Sequence, residues 1–126
     1  MQESPVTAPR VVPARLPIPE SKLGEGQGVR FEVRLDGVLR DAFAVRYKGK
    51  LYAYVNACRH ESLPLDFGDA HFFDDDYDAL VCCHHGARYR PEDGRCVAGP
   101  CGGGRLTALT LESRADGLWC VDAPGP

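Results

Sequence analysis

Cys58-Arg59-His60 and, after a spacer of twenty-one residues, Cys82-Cys83-His84-His85-Gly86 form the stretch that decides how this chain is read. Reduced to metal donors it is C-x-H followed by C-x-x-H-G, so each of two loops carries one thiol and one imidazole. A lone Cys or His is usually a core or surface residue. Two mixed pairs at short spacing, each at the end of a strand-like run, point instead to a metal. Two thiolates and two neutral imidazoles can hold one zinc ion, or an iron–sulfur pair with sulfur ligands on one iron and nitrogen ligands on the other. Zinc sites commonly pair like with like, C-x-x-C with H-x-x-x-H. The mixed split suits a binuclear centre approached by two loops from opposite sides. On the residues alone both readings stay open.

Outward from these loops the pattern is β. Val29, Phe31, Val33 and Leu35 alternate with Arg30, Glu32 and Arg34, the period of a half-buried strand. Asp36-Gly37 turns the chain, and Ala42, Ala44 and Arg46 then alternate with Phe43, Val45 and Tyr47. Lys48-Gly49 is a second turn, and Leu51–Val55 a third strand that leads into Cys58. Leu63, Leu65 and Phe67 read as core-packing residues, or alternatively as an apolar lid, in a loop broken by Pro64 and Gly68. Asp69 to Asp78 reads as an acidic surface excursion, a hairpin tip leading into strand 79–81, which delivers Cys82. The run Asp74-Asp75-Asp76 within it is a solvated turn or, as the alternative, a docking surface for a partner.

Beyond His85 the expected order is a short strand over 86–90, a Pro91-Glu92-Asp93-Gly94 turn, a strand over 95–98, a loop Gly99–Gly104 and a final hairpin turning at Asp116-Gly117. Five prolines before residue 20 make 1–20 an extended segment, with an edge strand near 11–16. Gly24–Gly28 reads as a flexible connection; no Lys-Ser or Lys-Thr follows to make it a phosphate loop. No window carries a helical apolar stripe, so the class is all-β. The organisation expected is a Pro-rich segment 1–20, one domain over 21–122 with its metal-binding part at about 56–104, and a tail 123–126.

The chain has 126 residues, 44% hydrophobic and 26% charged, which fits one globular domain. A net charge of −3 with scattered basic residues gives no electrostatic reason for a nucleic-acid or membrane partner. No segment is apolar and long enough to cross a bilayer, and the first residues lack a secretory signal pattern, so the chain reads as cytoplasmic. In that compartment six cysteines lean towards metal binding, with Cys96 and Cys101 expected as reduced thiols, a disulfide across their loop being the alternative, and Cys120, beside Trp119, as a core residue.

The whole pattern resembles the Rieske family. The resemblance rests on Cys58-Arg59-His60, Cys82-Cys83-His84-His85-Gly86, Arg88-Tyr89, Asp93-Gly94 and Gly99-Pro100, in that order, and covers roughly residues 29–121. It implies an antiparallel β-sandwich with a two-loop cluster-binding subdomain and one [2Fe-2S] cluster. Cys58 and Cys82 would bind one iron, His60 and His85 the other. Two departures stand out. The spacer is longer than is usual, and the second loop also offers Cys83 and His84, so that Cys83-x-His85 is a rival ligand pair; the C-x-x-H-G register favours Cys82 with His85. Leu63 and His84 occupy positions where quinol-oxidising members of the family carry a disulfide, and Ala87 stands where they carry a serine that donates to a cluster sulfur. Loss of that donor implies a lower potential; Tyr89 stands at a second donor position, the alternative being that it simply packs in the sheet.

Function follows as an expectation: one-electron transfer by a small ferredoxin-like carrier between a reductase and an acceptor such as an oxygenase, with no bond chemistry and no small-molecule substrate of its own. The alternatives are a small Rieske-like subunit of a larger reductase, and a zinc-held binding module without redox activity.

Overall fold

Residues 42 to 45 read Ala-Phe-Ala-Val, and all four side chains are fully buried. A strand buried on both faces separates two cores, and the rest of the architecture is arranged around it. The computed structural model describes residues 11–57, 72–74, 78–82, 86–99 and 104–121. Its strands are β1 (Val11–Val12), β2 (Ala14–Arg15), β3 (Gly28–Leu35), β4 (Val38–Tyr47), β5 (Lys50–Val55), β6 (Leu80–Val81), β7 (Arg88–Tyr89), β8 (Cys96–Ala98), β9 (Ala108–Arg114) and β10 (Gly117–Val121). One 3-10 turn, Glu20–Lys22, precedes β3.

The large sheet has the order β1-β3-β4-β5-β9-β10-β2. Its two outer strands, β1 and β2, are consecutive in the chain and separated only by Pro13. The sheet therefore curls until its edges meet. Proline suits the join, because it has no N–H to leave unpaired where the chain passes from one edge to the other. The interior of the curl holds Val11, Leu16, Phe31, Val33, Leu35, Ala42, Ala44, Ala53, Val55, Leu118 and Cys120, with Leu23. The opposite faces of β4 and β5 present Phe43, Val45, Tyr47 and Tyr54 to a second core, closed by the small sheet β6-β7-β8 and by Phe72, Phe73 and Leu106. The alternation expected over 42–47 is therefore real, with one correction: both faces are buried, the alanines against the curl and the larger side chains against the small sheet.

The turns match their sequence signals. Asp36 and Gly37 lie at φ 51° and 81°, and Lys48 and Gly49 at 51° and 80°, the left-handed pairs of tight hairpin loops. Gly24–Gly28 departs from the expected flexible connection. The Glu25 carboxylate accepts the Lys48 and Gly49 N–H groups at 2.6 and 2.9 Å. Arg46 donates to the carbonyls of Leu23, Glu20 and Gly49. A carboxylate and a guanidinium thus pin the segment to the β4–β5 turn.

The acidic excursion also departs from expectation at its base. Phe72 and Phe73 are buried; Phe72 stacks on Phe43 with ring centroids 4.1 Å apart, and Phe73 stacks on Tyr47 at 5.9 Å. Phe73 bridges Leu80, and the Phe72 carbonyl accepts the Val81 N–H at 2.8 Å, so the segment is one leg of a hairpin with β6. Leu63, Leu65, Phe67, Asp75 and Asp76 lie outside the described residues.

Candidate metal centre

β5 ends at Val55, and the two residues after it are held firmly. Asn56 is only 4% exposed. Its backbone N–H donates to the Asp41 carbonyl and its Nδ2 to the Asp41 carboxylate, both at 2.8 Å. The same carboxylate takes the Arg30 guanidinium at 2.8 Å. The start of the first donor loop is therefore anchored to β4 two residues before Cys58. Cys58 and His60 themselves lie outside the described residues, as do Cys83, His84, His85 and Cys101.

The second loop is described at its two legs. Cys82 follows β6 directly, is fully buried, and is not part of a disulfide. Its N–H donates to the Ala87 carbonyl at 2.9 Å, and its carbonyl accepts the Gly86 N–H at 2.8 Å. These two bonds close the loop at its neck, with Gly86 in the left-handed region at φ 74°. Ala87 and Tyr89 are fully buried in the same core as Cys82, with Phe72 and Leu80. Gly99, at φ 89°, brings the third loop onto the outgoing leg. A Cβ built on it would lie 2.8 Å from the Ala87 Cα, so only glycine allows this approach.

Asp74 ties both legs together, which the sequence did not reveal. Its carboxylate accepts the N–H groups of Asp78 and Ala79 on the incoming leg and the Arg88 guanidinium on the outgoing one. Burial alone would raise its pKa; the two N–H bonds and the Arg88 charge more than offset this and hold the carboxyl below its ordinary value. With a side chain 9% exposed and already paired, Asp74 is not a free docking charge, which corrects one third of the expected Asp74–Asp76 surface. The signal was present in the neighbouring Phe72-Phe73: two adjacent aromatics cannot both sit in a solvated tip without a core beneath them.

The other fixed points lie around the Pro91–Gly94 turn. Tyr54 donates its hydroxyl to the Pro91 carbonyl at 2.6 Å, and burial raises its pKa. Gly94, at φ 73°, leaves space that the Tyr54 ring fills. Cys120 is a buried core residue as expected, and burial pushes its thiol up to about 11. Cys96 corrects the expectation of a reduced thiol: it is disulfide-bonded.

Among the described residues no three Cys, His, Asp or Glu side chains converge. What is described fits a thiolate-held metal. A buried cysteine stands at a strand end, in a loop closed at its neck, against apolar side chains that exclude water, with a glycine-dependent third loop packed on the exit.

The Rieske [2Fe-2S] domain family matches residues 18–110. No curated protein matches the chain. Among solved structures, the ferredoxin of carbazole 1,9a-dioxygenase from Nocardioides aromaticivorans IC177 is similar at 24% identity and TM-score 0.67, covering 88% of this chain and 98% of that one. A chain in a complex of reduced oxygenase and oxidized ferredoxin of carbazole 1,9a-dioxygenase is similar at 18% identity and TM-score 0.68, with 90% and 97% covered. In the reduced oxygenase–ferredoxin complex of the same system the likeness has TM-score 0.68 at 18% identity and spans 93% of this chain but 29% of the other. These likenesses establish the shared fold. With a family match across most of its length and an all-β fold of the corresponding kind, the chain belongs to the Rieske [2Fe-2S] domain family and takes one Rieske-type [2Fe-2S] cluster.

Proposed function

We propose that this protein is a small ferredoxin-like electron carrier whose cluster is held by Cys58 and Cys82 on one iron and His60 and His85 on the other, and which serves a reductase on one side and an oxygenase on the other. The observation that carries the reading is the buried Cys82 thiol in its closed loop, within a chain that covers nearly the whole of a stand-alone ferredoxin. When bound, the cluster takes up and gives out one electron at a time. The chain's own residues do the rest. Asn56 and Asp41 hold the first loop, Asp74 and Arg88 clamp the legs of the second, and Gly99 admits the third. Phe72, Leu80 and Tyr89 keep water from the Cys82 side. No described helix is long and apolar enough to cross a membrane; a cytoplasmic location is part of this proposal.

The test is the low-temperature EPR spectrum of dithionite-reduced protein, with iron, sulfide and zinc assayed on the same sample. The expected result is a rhombic signal whose average g lies below the free-electron value, with about two irons and two sulfides per chain. A silent spectrum with one zinc per chain in protein purified without air would overturn it in favour of a zinc-held binding module.

A further inference from the structure

Basic residues scattered in the sequence are gathered by the fold beside the second loop. Between residues 86 and 105 stand Arg88, Arg90, Arg95 and Arg105 against only Glu92 and Asp93, in a chain of net charge −3. Arg88 is committed to Asp74, and Arg90 pairs with Asp93 at 3.5 Å. Arg95 and Arg105 face each other across an antiparallel bridge. Residues directly opposite in such a bridge share a face, and both are exposed. Among the described residues neither has a carboxylate within ion-pair distance. Like charges directly opposite are unfavourable in the isolated protein. Val97, two residues on from Arg95, is 54% exposed; the β7–β8 register shift opposite it breaks the strand alternation, so its exposure places it on the outside. Gly99, two further on, is the residue seated on Ala87. Along the chain this segment therefore runs from a paired arginine site, past an exposed apolar side chain, to Gly99, seated against the exit of the second donor loop.

Resting on the electron-transfer reading, we propose that Arg95 and Arg105, with Val97 between them and the metal loop, form the docking face for an acidic surface on a redox partner protein. The two positive charges steer and register the partner, and Val97 supplies apolar contact near the electron's exit. Asp74 is not available for this role, since it is already used within the fold.

Two probes test this without knowledge of the partner. Stopped-flow oxidation of the reduced protein transfers one electron to ferricyanide, giving ferrocyanide, or to tris(phenanthroline)cobalt(III), giving the cobalt(II) complex. Relative to wild type, Arg95→Glu/Arg105→Glu is expected to slow the anionic oxidant about fivefold and to speed the cationic one, with both effects vanishing near 1 M salt, where the screening length is about 3 Å. Arg34→Glu/Arg40→Glu makes the same change in net charge on exposed residues of the β3–β4 hairpin, and is expected to change both rates much less. The second readout does not depend on the cluster. Hexacyanochromate(III), a redox-inert paramagnetic anion, is expected to broaden the amide NMR signals of Arg95, Val97 and Arg105 more than those of Arg34 and Arg40. Equal effects of the two double variants, or broadening spread evenly over all arginines, would overturn the docking face. A protein without iron would instead sink the electron-transfer reading, while the NMR map would still decide whether the patch gathers anions.

Discussion

Gly37 and Gly99 share a left-handed backbone but not the same surroundings. Nothing lies within 4 Å of a Cβ built on Gly37, whereas at Gly99 that atom meets the Ala87 backbone at 2.8 Å. Gly37→Ala is expected to cost about 1 kcal/mol in backbone strain. Gly99→Ala adds a clash with backbone that cannot rotate aside, and is expected to cost about 2–4 kcal/mol and to lower iron retention. Urea denaturation and iron assay of the two variants check the contrast. Asp74 makes a second test. Its folded pKa lies below the ordinary 3.8, so its contribution is fully present above the unfolded value and is lost as pH falls through the folded one. Asp74→Asn is expected to lose about 1–3 kcal/mol at neutral pH and to unfold less steeply with acid than wild type below about pH 4. Thermal melts from neutral pH downward measure both. Equal acid sensitivity in the two proteins would assign no such role to the carboxylate.

At the scale of elements, β4 serves two cores, and substitutions on its two faces should fail differently. Phe43 packs against Phe72 and Tyr54 beneath the small sheet. Phe43→Ala leaves a cavity there and is expected to cost about 3–5 kcal/mol, with iron lost well before the large sheet unfolds. Ala44 faces the interior of the curled sheet. Ala44→Leu overpacks that side, at about 1–3 kcal/mol, and should leave the metal loops intact in the folded protein. Iron retention and circular dichroism followed together through a urea titration separate the two. Iron loss and unfolding that coincide in both variants would show that the two cores behave as one unit.

At the scale of the whole molecule, closure of the large sheet depends on five residues. Val11–Val12 pairs with β3 through Leu35 and Arg34, and Ala14–Arg15 pairs with β10 through Cys120 and Trp119. Val11 and Leu16 are buried within the curl. Deleting residues 1–16 exposes the edges of β3 and β10 as unpaired ladders. Such edges associate, so the shortened protein is expected to melt at a lower temperature and to self-associate as concentration rises, measured by sedimentation velocity. A monomer of unchanged stability would show that the closure contributes little. The same global view explains how a chain of net negative charge presents a positive face: long-range β pairing places Arg105 opposite Arg95, ten residues earlier.

The sequence by itself determined the class, the strand order in the chain and the turns. Strand period, glycine at positive φ and the two Cys/His loops are local properties, visible in a few consecutive residues. Alternation could say that β4 has two different faces, but not that both are buried, because that depends on a sheet formed by residues 80–98 packing onto it. Cys82 was legible as a candidate donor from its place in the C-x-x-H-G pattern, yet its burial and the neck of its loop are properties of the fold. Asp74 read as solvated because three aspartates in a row resemble a surface turn; only the hairpin and Arg88, fourteen residues away, make it structural. Arg95 and Arg105 read as unrelated for the same reason. Tertiary structure decided which charges are partnered and which are left facing outward, since electrostatic energy follows distance in space and not separation along the chain.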